Sequence, residues 1–350
     1  MFIGQNAQGK SNMLEALSLL ATGKSFRAAR ETDLIRTGSP LARVAARVRT
    51  RSGDVTAACL ITRVGEGARK RFLRNGRSVP YAQFLGGIAA VTFMPFDLQL
   101  VSGAPALRRR FLNAALSQLE RTYYREHAKY TKIIVQKNAL LKSAPAVDRK
   151  LLATYNAQLA AVGTQLICAR AGYVRRLDHE AAEVHARWVG ASLPLALRYQ
   201  PSPALPEGDE SPGAVLARLE SALEAHATAE LARRTSLVGP HRDDMNFLLG
   251  DEPLARFGSQ GQQRTAVLAT KAAEYALLAQ ATGEPPLLLL DDVLSELDPA
   301  RRQAFMRSIE DCEQAFVTST DVPDLPENTA ASVYEIVAGH VQHAGAVKAG

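Results

Sequence analysis

Apolar and polar residues alternate through residues 41–64, and this period of two predicts β-strands. Asn75-Gly76 lies between two further short segments of mixed polarity and predicts a hairpin turn. Residues 1–3 are typical of a buried strand, and a helical pattern covers residues 11–21 after a glycine-containing segment. The N-terminal third is therefore predicted to mix strands and helices.

The hydrophobic period changes to three or four residues after residue 105, which is typical of an antiparallel helical arm. A stretch rich in Pro, Gly, Ser and acidic residues at 201–213 predicts an exposed loop. Residues 237–340 return to a mixed pattern of strands and helices. The long helices predicted between these parts cover residues 105–143, 148–188 and 213–235.

Residues 4–11, GQNAQGKS, fit the phosphate-loop pattern G-x-x-x-x-G-K-S in full. Glycines let the backbone turn its N–H groups toward phosphate oxygens, and the helix that follows directs its positive end at the same anion. Lys10 is expected to reach the β and γ phosphates, and the Ser11 hydroxyl is expected to bind Mg²⁺. The alternative is a helix that starts with Gly and Lys by chance. The predicted nucleotide contacts here are Gly4, Gln5, Asn6, Ala7, Gln8, Gly9, Lys10 and Ser11.

An apolar run that ends in two carboxylates, LLLLDD, occupies residues 287–292 and predicts a buried strand. In nucleotide hydrolases the first such aspartate holds Mg²⁺, here through water, and the next carboxylate orients or deprotonates the attacking water. Asp291, Asp292 and Lys10 are therefore the predicted catalytic residues, and Ser11 and Asp291 are the predicted metal-binding residues. A strand that ends at a solvated acidic turn is the alternative.

A second helix start that suits an anion lies in residues 257–264, FGSQGQQR. Ser259 is positioned as an N-cap and Gly261 leaves the first turn open, although an ordinary capped helix has the same features. Together with SELD at 295–298, this segment resembles the signature and D-loop of ABC ATPases. That resemblance implies that Ser259, Gly261 and Gln262 contact the γ phosphate of a nucleotide held by the other subunit.

The chain resembles the RecF family of DNA replication and repair proteins over nearly its full length. The segments that carry this resemblance are GQNAQGKSNMLEAL (4–17), FMPFDLQLVSGAPALRRRFLN (93–113), LVGPHRDDM (237–245), FGSQGQQR (257–264) and LLLLDDVLSELDPARR (287–302). The resemblance implies an α/β fold, in which a P-loop ABC-type ATPase head related to SMC-like proteins carries an inserted helical second lobe. The expected parts are the N-terminal part of the ATPase lobe at 1–104, a mainly helical lobe at 105–235, and the C-terminal part of the ATPase lobe at 236–350.

The same resemblance implies ATP and Mg²⁺ as cofactors, and a slow ATPase that serves as a switch. It implies an ATP-dependent homodimer that clamps DNA near single-strand gaps or single-strand/duplex junctions. It also implies cooperation with RecO and RecR in loading the RecA recombinase. A cytoplasmic location fits these roles.

The sequence departs from the family and from ABC ATPases in three ways. The family's opening strands, expected before Met1, are absent, and this predicts a truncated start. Asp292 stands where ABC ATPases generally have glutamate, and its shorter side chain predicts slow turnover. The switch region at 316–321, FVTSTD, lacks a histidine, so Thr320 is the candidate γ-phosphate sensor.

The net charge of +7 favours a polyanionic partner. Basic clusters at 69–71 with Arg74 and Arg77, at 108–110 and at 175–176 are candidates for contact with DNA phosphates. A solvated face is the alternative for each cluster, and residues 108–110 have the further alternatives of serving the nucleotide site or packing the lobes. Aromatic residues make up only 6% of the chain, so contact with the duplex backbone is favoured over base stacking.

The three cysteines are widely spaced, which argues against a disulfide framework or a zinc site and fits a reducing compartment. No apolar stretch approaches the ~20 residues needed to cross a bilayer, so no membrane association is expected.

Two other functions remain open at this point. The first is a non-catalytic DNA scaffold that binds ATP only to hold a dimer together. The second is the ATPase subunit of a transporter, which the 249-residue separation of Lys10 and Ser259 disfavours because such subunits are more compact.

Overall fold

A computed structural model describes residues 1–51, 53–143, 147–190, 192–205, 210–293, 297, 299–307, 312–321 and 330–348. The chain divides into two compact units. The first contains Met1–Leu98, Arg187–Val189 and Val267–Gly350, and the second contains Gln99–Ala186 and Gly190–Ala266. No helix among the described residues is long and apolar enough to cross a membrane.

The described residues form strands and helices in mixed order. The strands are β1 (Phe2–Ile3), β2 (Leu41–Thr50), β3 (Gly53–Val64), β4 (Gly67–Arg74), β5 (Arg77–Val79), β6 (Ala90–Phe93), β7 (Leu195–Gln200), β8 (Asp244–Leu249), β9 (Glu252–Pro253), β10 (Leu287–Asp291), β11 (Ala315–Ser319), β12 (Ala330–Val337) and β13 (His340–Lys348). The α-helices are α1 (Lys10–Thr22), α2 (Tyr81–Phe84), α3 (Gln99–Ser102), α4 (Pro105–Leu119), α5 (Arg121–Lys142), α6 (Arg149–Val189), α7 (Pro212–Ala225), α8 (Ala227–Arg233), α9 (Leu254–Phe257), α10 (Gln260–Thr282) and α11 (Pro299–Arg307). Short 3₁₀ helices cover Glu31–Leu34, Pro95–Leu98 and Pro240–Arg242.

The main sheet of the first unit has the strand order β13-β12-β1-β11-β10-β6. Neighbouring strands from β12 to β6 run parallel, whereas β13 is antiparallel to β12. A parallel sheet covered on both faces requires apolar residues at successive positions, and Leu288, Leu289 and Leu290 of β10 are all buried. The two-residue strand β1 lies between β12 and β11, so the segment that follows it leaves from the middle of the sheet.

A second sheet of the first unit is antiparallel, in the order β2-β3-β4-β5. Its inner face packs Cys59, Ile61 and Phe72 into one hydrophobic core with residues of α1 such as Leu14. The predicted hairpin turn is confirmed at the junction of β4 and β5, where Asn75 and Gly76 adopt positive φ angles of 51° and 77°.

The second unit is mainly helical, with a small sheet in the order β7-β8-β9. The helix predicted at 105–143 is in fact two helices, because Glu120 has extended backbone angles (φ −134°, ψ 107°) between α4 and α5. The next helix, α6, runs for 41 residues from its N-cap Asp148. The helix predicted at 213–235 is also divided, into α7 and α8 at His226. The predicted loop is irregular at the described residues 201–205 and 210–211.

A buried ionic network holds the second unit together around Asp243, which is fully buried. The Asp243 carboxylate accepts hydrogen bonds from Arg170 (2.6 Å), from the Tyr199 hydroxyl and from the Ser202 backbone N–H (2.8 Å). Arg170 also donates to the Tyr123 hydroxyl at 3.0 Å. A buried charge is tolerated only when it is paired and hydrogen-bonded, and both conditions are met here.

The basic cluster at 108–110 belongs in part to the same core. Arg108 is buried and donates to the carbonyls of Leu100 and Gly103. It also donates two hydrogen bonds to the Asp244 carboxylate, from Nε at 2.6 Å and from Nη2 at 3.0 Å. Arg109 donates to the Asp243 carbonyl at 2.8 Å. Arg108 is therefore not available to DNA phosphates, and packing is the role that the structure supports for it. Contact of Arg109 and Arg110 with DNA stays a prediction.

The two units differ from the sequence-based division most at residues 236–266. Residues 236–266 group with the helical second unit, whereas the sequence-based division placed them in the C-terminal part of the ATPase lobe. Smaller differences occur at residues 99–104, which group with the second unit, and at 187–189, which group with the first. The functional division at 104 and 235 stays a prediction.

Candidate nucleotide-binding site

The segment between β1 and α1 is shaped by positive φ angles. Gly4 (φ 142°), Ala7 (φ 64°) and Gly9 (φ 106°) alternate with ordinary residues, so the chain curls tightly before α1 begins. A Cβ atom on Gly4 would lie only 2.6 Å from the Ile336 carbonyl oxygen of β12. Glycine at this position is thus required by both conformation and space.

The start of α1 follows this loop directly and has no side-chain cap at Gly9. Its first turn contains no acidic residue. The N–H groups of a first helical turn lack partners within the helix and carry partial positive charge. These features fit a phosphate group, which such helix starts commonly bind.

Lys10 is held close to the loop. Its Nζ donates to the carbonyl oxygens of Gly4 (2.5 Å) and Gln5 (2.9 Å), and only 8% of the residue is exposed. The ammonium group therefore lies inside the curl of the backbone. An anion bound there would contact the Lys10 ammonium and the N-terminus of α1, as predicted from the phosphate-loop pattern.

Hydrogen bonds from the β12–β13 turn also hold the loop, and the sequence did not predict this contact. The Gln8 side-chain oxygen accepts from the Ala338 N–H at 2.6 Å, and the Gly339 N–H donates to the Gln8 carbonyl at 3.0 Å. Gln8 is variable in the phosphate-loop pattern, and its partners lie some 330 residues away along the chain.

The acidic strand meets the phosphate loop at Asp291. The Ser11 hydroxyl donates to Oδ1 of Asp291 at 2.8 Å, and the Thr318 hydroxyl donates to the same oxygen at 2.7 Å. This arrangement follows from the sheet order, because β10 and β11 are parallel neighbours and β1 lies beside β11. A hydroxyl and a carboxylate oxygen are ligands that Mg²⁺ prefers, so Ser11 and Asp291 fit the predicted metal.

Asp292 follows directly with a left-handed backbone, at φ 53°. Its N–H donates to the Thr318 carbonyl (3.2 Å) and approaches the Thr318 hydroxyl oxygen (3.0 Å), which explains how the conformation is held. Non-glycine residues rarely adopt this conformation, and such strain is concentrated at functional sites. The structure thus brings together Lys10, Ser11, Asp291 and Asp292, all in the first unit.

The signature residues form a reciprocal cap at the start of α10, in the second unit. The Ser259 hydroxyl accepts from the Gln262 N–H at 3.2 Å, while the Gln262 side chain accepts from the Ser259 N–H at 2.8 Å. Ser259 is exposed, and Gly261 is partly exposed. The capped helix predicted here is confirmed, and the contact with a second subunit's nucleotide stays a prediction.

Two further predicted features are described only in part. Of the D-loop tetrapeptide, Ser295, Glu296 and Asp298 lie outside the described residues. Thr320 is exposed just after β11, and its hydroxyl donates to the Asp321 carboxylate at 3.2 Å. Its role as a γ-phosphate sensor stays a prediction.

Comparisons with known proteins decide the family. The chain matches no protein-family model. It is 42% identical over 323 residues to the DNA replication and repair protein RecF of Symbiobacterium thermophilum, covering 92% of this chain and 85% of that protein. It is 36% identical over 346 residues to the RecF of Geobacillus kaustophilus, covering 97% and 92%. This chain belongs to the RecF family.

Solved RecF structures share the fold as well as the sequence. A structure of the recombination mediator protein RecF-ATPrS in the RecFOR pathway superposes with a TM-score of 0.89 at 30% identity, covering 98% of this chain and 91% of that chain. The corresponding RecF-ATP structure gives a TM-score of 0.88 at 29% identity, covering 98% and 90%. An SmcHead bound to the C-winged helix domain of ScpA shares the fold at 15% identity, with a TM-score of 0.52 and coverage of 99% and 89%. The predicted α/β fold of an ABC-type ATPase head is confirmed.

Within this RecF family member, the most informative residue that sequence reasoning missed is Thr318. It lies in the FVTSTD segment, where the lack of a histidine made Thr320 the candidate sensor instead. Thr318 is buried, at 1% exposure, and touches both aspartates of the acidic strand. No local pattern pointed to Thr318, because its contacts depend on the parallel pairing of β11 with β10.

Proposed function

We propose that this chain is an ATP-dependent DNA-binding switch of DNA replication and recombinational repair, which binds ATP at its phosphate loop and hydrolyses it slowly. One observation carries the proposal: Ser11 and Asp291 meet at hydrogen-bond distance beside Lys10, in a family whose members are named for DNA replication and repair. That meeting is what a nucleotide–Mg²⁺ site requires of a phosphate loop and an acidic strand.

ATP is supported by the loop itself. The backbone N–H groups at the start of α1, with Lys10, would hold the β and γ phosphates, and the contacts would extend over Gly4, Gln5, Asn6, Ala7, Gln8, Gly9 and Ser11. The names of the RecF-ATP and RecF-ATPrS structures support the same ligand for this fold.

Metal binding and hydrolysis are assigned to the next residues. Ser11 and, through water, Asp291 would hold Mg²⁺, which when bound neutralises charge on the β and γ phosphates. Asp292 would orient or deprotonate the attacking water, as a carboxylate placed after such a strand does. Its side chain is one methylene shorter than glutamate, which supports slow turnover.

The switch requires a second copy of the chain. Ser259, Gly261 and Gln262 of one copy would contact the γ phosphate held by the other, so that ATP favours a dimer and hydrolysis releases it. Such a γ-phosphate link is a known way to bias a two-state assembly. The exposure of the reciprocal cap at Ser259 supports this role.

The cellular role follows from the family. The dimer would clamp DNA near single-strand gaps or single-strand/duplex junctions, and would act with RecO and RecR in loading the recombinase in the cytoplasm. The RecFOR pathway named for the similar structures supports these partners.

Nucleotide binding is the first test. The full chain is titrated with a fluorescent ATP analogue and Mg²⁺, beside Lys10→Ala and the matched variant Lys132→Ala, which removes an exposed lysine of α5. We expect the parent and Lys132→Ala to bind alike and Lys10→Ala to bind at least about tenfold more weakly, a loss of ~1.4 kcal/mol. Equal binding by all three would show that the loop does not hold the nucleotide.

Hydrolysis and assembly separate the switch from the scaffold. The switch predicts slow phosphate release by the parent, no release by Asp292→Asn, and an ATP-dependent dimer in sedimentation. A parent that dimerises with ATP but releases no phosphate would instead support the non-catalytic scaffold.

A further inference from the structure

Five arginine side chains lie on the outer face of the β2–β5 sheet, on strands β2 and β4. Residues alternate across a strand, so those that neighbour the core residues Cys59, Ile61 and Phe72 point away from the core. The positions on this outer face include Arg43, Arg47 and Arg49 of β2 and Arg69 and Arg71 of β4. All five are exposed.

The strand register brings these arginines together. Arg43 pairs with Leu60, and Leu60 pairs with Arg71, so the two guanidinium groups flank one leucine across three strands. Two strand spacings separate their Cα atoms by roughly 10 Å, and Arg43 and Arg47 lie about 13 Å apart along β2. The result is a basic surface a few strands wide, which we call the arginine face.

Little within the sheet neutralises this face. Among the described residues of β2 to β5, Asp54 is the one acidic residue on the outer side, and it lies 3.7 Å from Arg49. Within the described part of the chain, Arg43, Arg47, Arg69 and Arg71 form no ion pair. By contrast, Lys70 points inward and pairs with Glu31, so the cluster predicted at 69–71 is divided between the two faces.

The chemistry of the face matches a phosphate backbone. Guanidinium groups bind phosphate in a bidentate manner and remain charged at any ordinary pH. The described outer positions of the sheet carry no aromatic residue, so the stacking that single-stranded nucleic acid uses is missing there. A cluster of positive charge without a stacking platform suits the regular backbone of a duplex.

We propose that the arginine face binds the phosphate backbone of duplex DNA. The proposal rests on the proposed function for its partner, and it adds where on the chain that partner binds. Recognition is expected to be independent of base sequence, because contacts between guanidinium groups and phosphates carry no sequence information.

The test compares two triple variants of equal charge. Arg43→Gln, Arg47→Gln and Arg71→Gln remove three charges from the face, whereas Arg121→Gln, Arg125→Gln and Arg149→Gln remove three exposed charges from α5 and α6. Binding of a labelled duplex is measured by fluorescence anisotropy in ATP and Mg²⁺, over a range of salt concentrations. Nucleotide binding and the melting temperature of each variant confirm that it is folded.

We expect the face variant to bind the duplex roughly tenfold or more weakly. A plot of log binding constant against log salt concentration is expected to become shallower by about 0.9 for each DNA phosphate that is no longer neutralised. The matched variant is expected to bind like the parent, and a third variant with lysine at the same three face positions to recover most of the affinity. The decrease is expected to be larger for duplex than for single-stranded DNA of equal length.

Three results would overturn the proposal. Equal decreases in both triple variants would mean that only net charge matters. An unchanged duplex affinity in the face variant would mean that another surface binds DNA, and that the face serves an acidic protein partner if it serves any. A parent that binds ATP but no DNA would overturn the proposed function together with this site, which distinguishes that failure from a wrong location.

Discussion

The Thr318 hydroxyl lies 2.7 Å from Oδ1 of Asp291, the oxygen to which Ser11 also donates. The same hydroxyl oxygen lies 3.0 Å from the backbone nitrogen of Asp292, whose φ angle is positive. One buried side chain therefore orients the carboxylate assigned to Mg²⁺ and holds the strained backbone of the residue assigned to the attacking water. We regard Thr318 as a positioning residue of the nucleotide site.

Replacing this hydroxyl by a methyl group tests that role. Thr318→Val keeps the shape and removes one hydrogen bond to a charged group, a loss of about 1.5–3 kcal/mol if it falls on the transition state. We expect kcat for phosphate release to fall roughly ten- to hundredfold, while the dissociation constant for ATP changes little. Steady-state phosphate release measures kcat, and titration with a fluorescent ATP analogue measures the dissociation constant.

Thr318→Ser is the matched control, because it restores the hydroxyl with a smaller side chain. It should retain most of the parental kcat. If Thr318→Val and Thr318→Ser lose activity equally, packing at β11 rather than the hydrogen bond is responsible.

The close approach of Gly4 to β12 gives a prediction about the loop. In Gly4→Ala, the new Cβ would clash with the Ile336 carbonyl at a φ angle that L-residues avoid. We expect a loss of at least about 2 kcal/mol in the free energy of unfolding, with weaker ATP binding. Urea unfolding and ATP titration check these effects.

Gly38→Ala is the control for this substitution. Gly38 also has a positive φ angle, of 81°, but a Cβ there meets nothing within 4 Å. It should cost only about 1–2 kcal/mol and leave ATP binding intact. Equal behaviour of the two variants would show that conformation alone, and not the contact with β12, restricts residue 4.

The sequence could predict those parts of the site that are encoded locally. The phosphate loop, the acidic strand and the capped start of α10 each depend on residues within one short segment, so pattern and chemistry identify them together. Thr318 and the brace between Gln8 and Ala338 depend on strand order in the main sheet, which no local pattern contains.

Helix boundaries and long-range contacts in the second unit were also not predictable from local patterns. The break at Glu120 has no proline or glycine to announce it, so the period alone predicts one helix where there are two. The role of Arg108 was equally hidden, because its partner Asp244 lies 136 residues away. In the sequence, three successive arginines indicate a basic surface, whereas in the structure Arg108 is buried.

Because Asp243 is buried and paired, it is expected to contribute strongly to the stability of the second unit. Asp243→Asn would leave the Arg170 guanidinium buried without its carboxylate, a change that costs about 3–5 kcal/mol when a buried pair is broken. We expect a correspondingly lower urea midpoint. Asp178→Asn is the comparison, since Asp178 pairs with the exposed Arg198 and should cost less than about 1 kcal/mol from that pair. Similar costs for the two would contradict a central role for Asp243.

His241 makes stability dependent on pH. Its Nε2 faces the Ser236 carbonyl, which can only accept, so Nε2 carries the hydrogen and Nδ1 accepts from the Tyr130 hydroxyl at 2.8 Å. Burial, with smaller contributions from Arg242, Lys137 and Arg109, lowers the pKa of His241 from 6.5 to about 4. The folded chain therefore keeps this ring neutral at a pH where the unfolded chain protonates it.

The lowered pKa of His241 makes the folded chain less stable at acidic pH. Between pH 6.5 and about 4 the unfolded state binds a proton that the folded state does not, so the contribution to stability is complete above pH 6.5 and falls as the pH is lowered through this window. The full loss is about 3 kcal/mol. We expect urea unfolding at pH 7.5, 6, 5 and 4.5 to show this decline in the parent, a flatter profile in His241→Gln, and the parental profile in His179→Gln, whose ring is exposed. A His241→Gln profile as steep as that of the parent would assign the acid sensitivity to other groups.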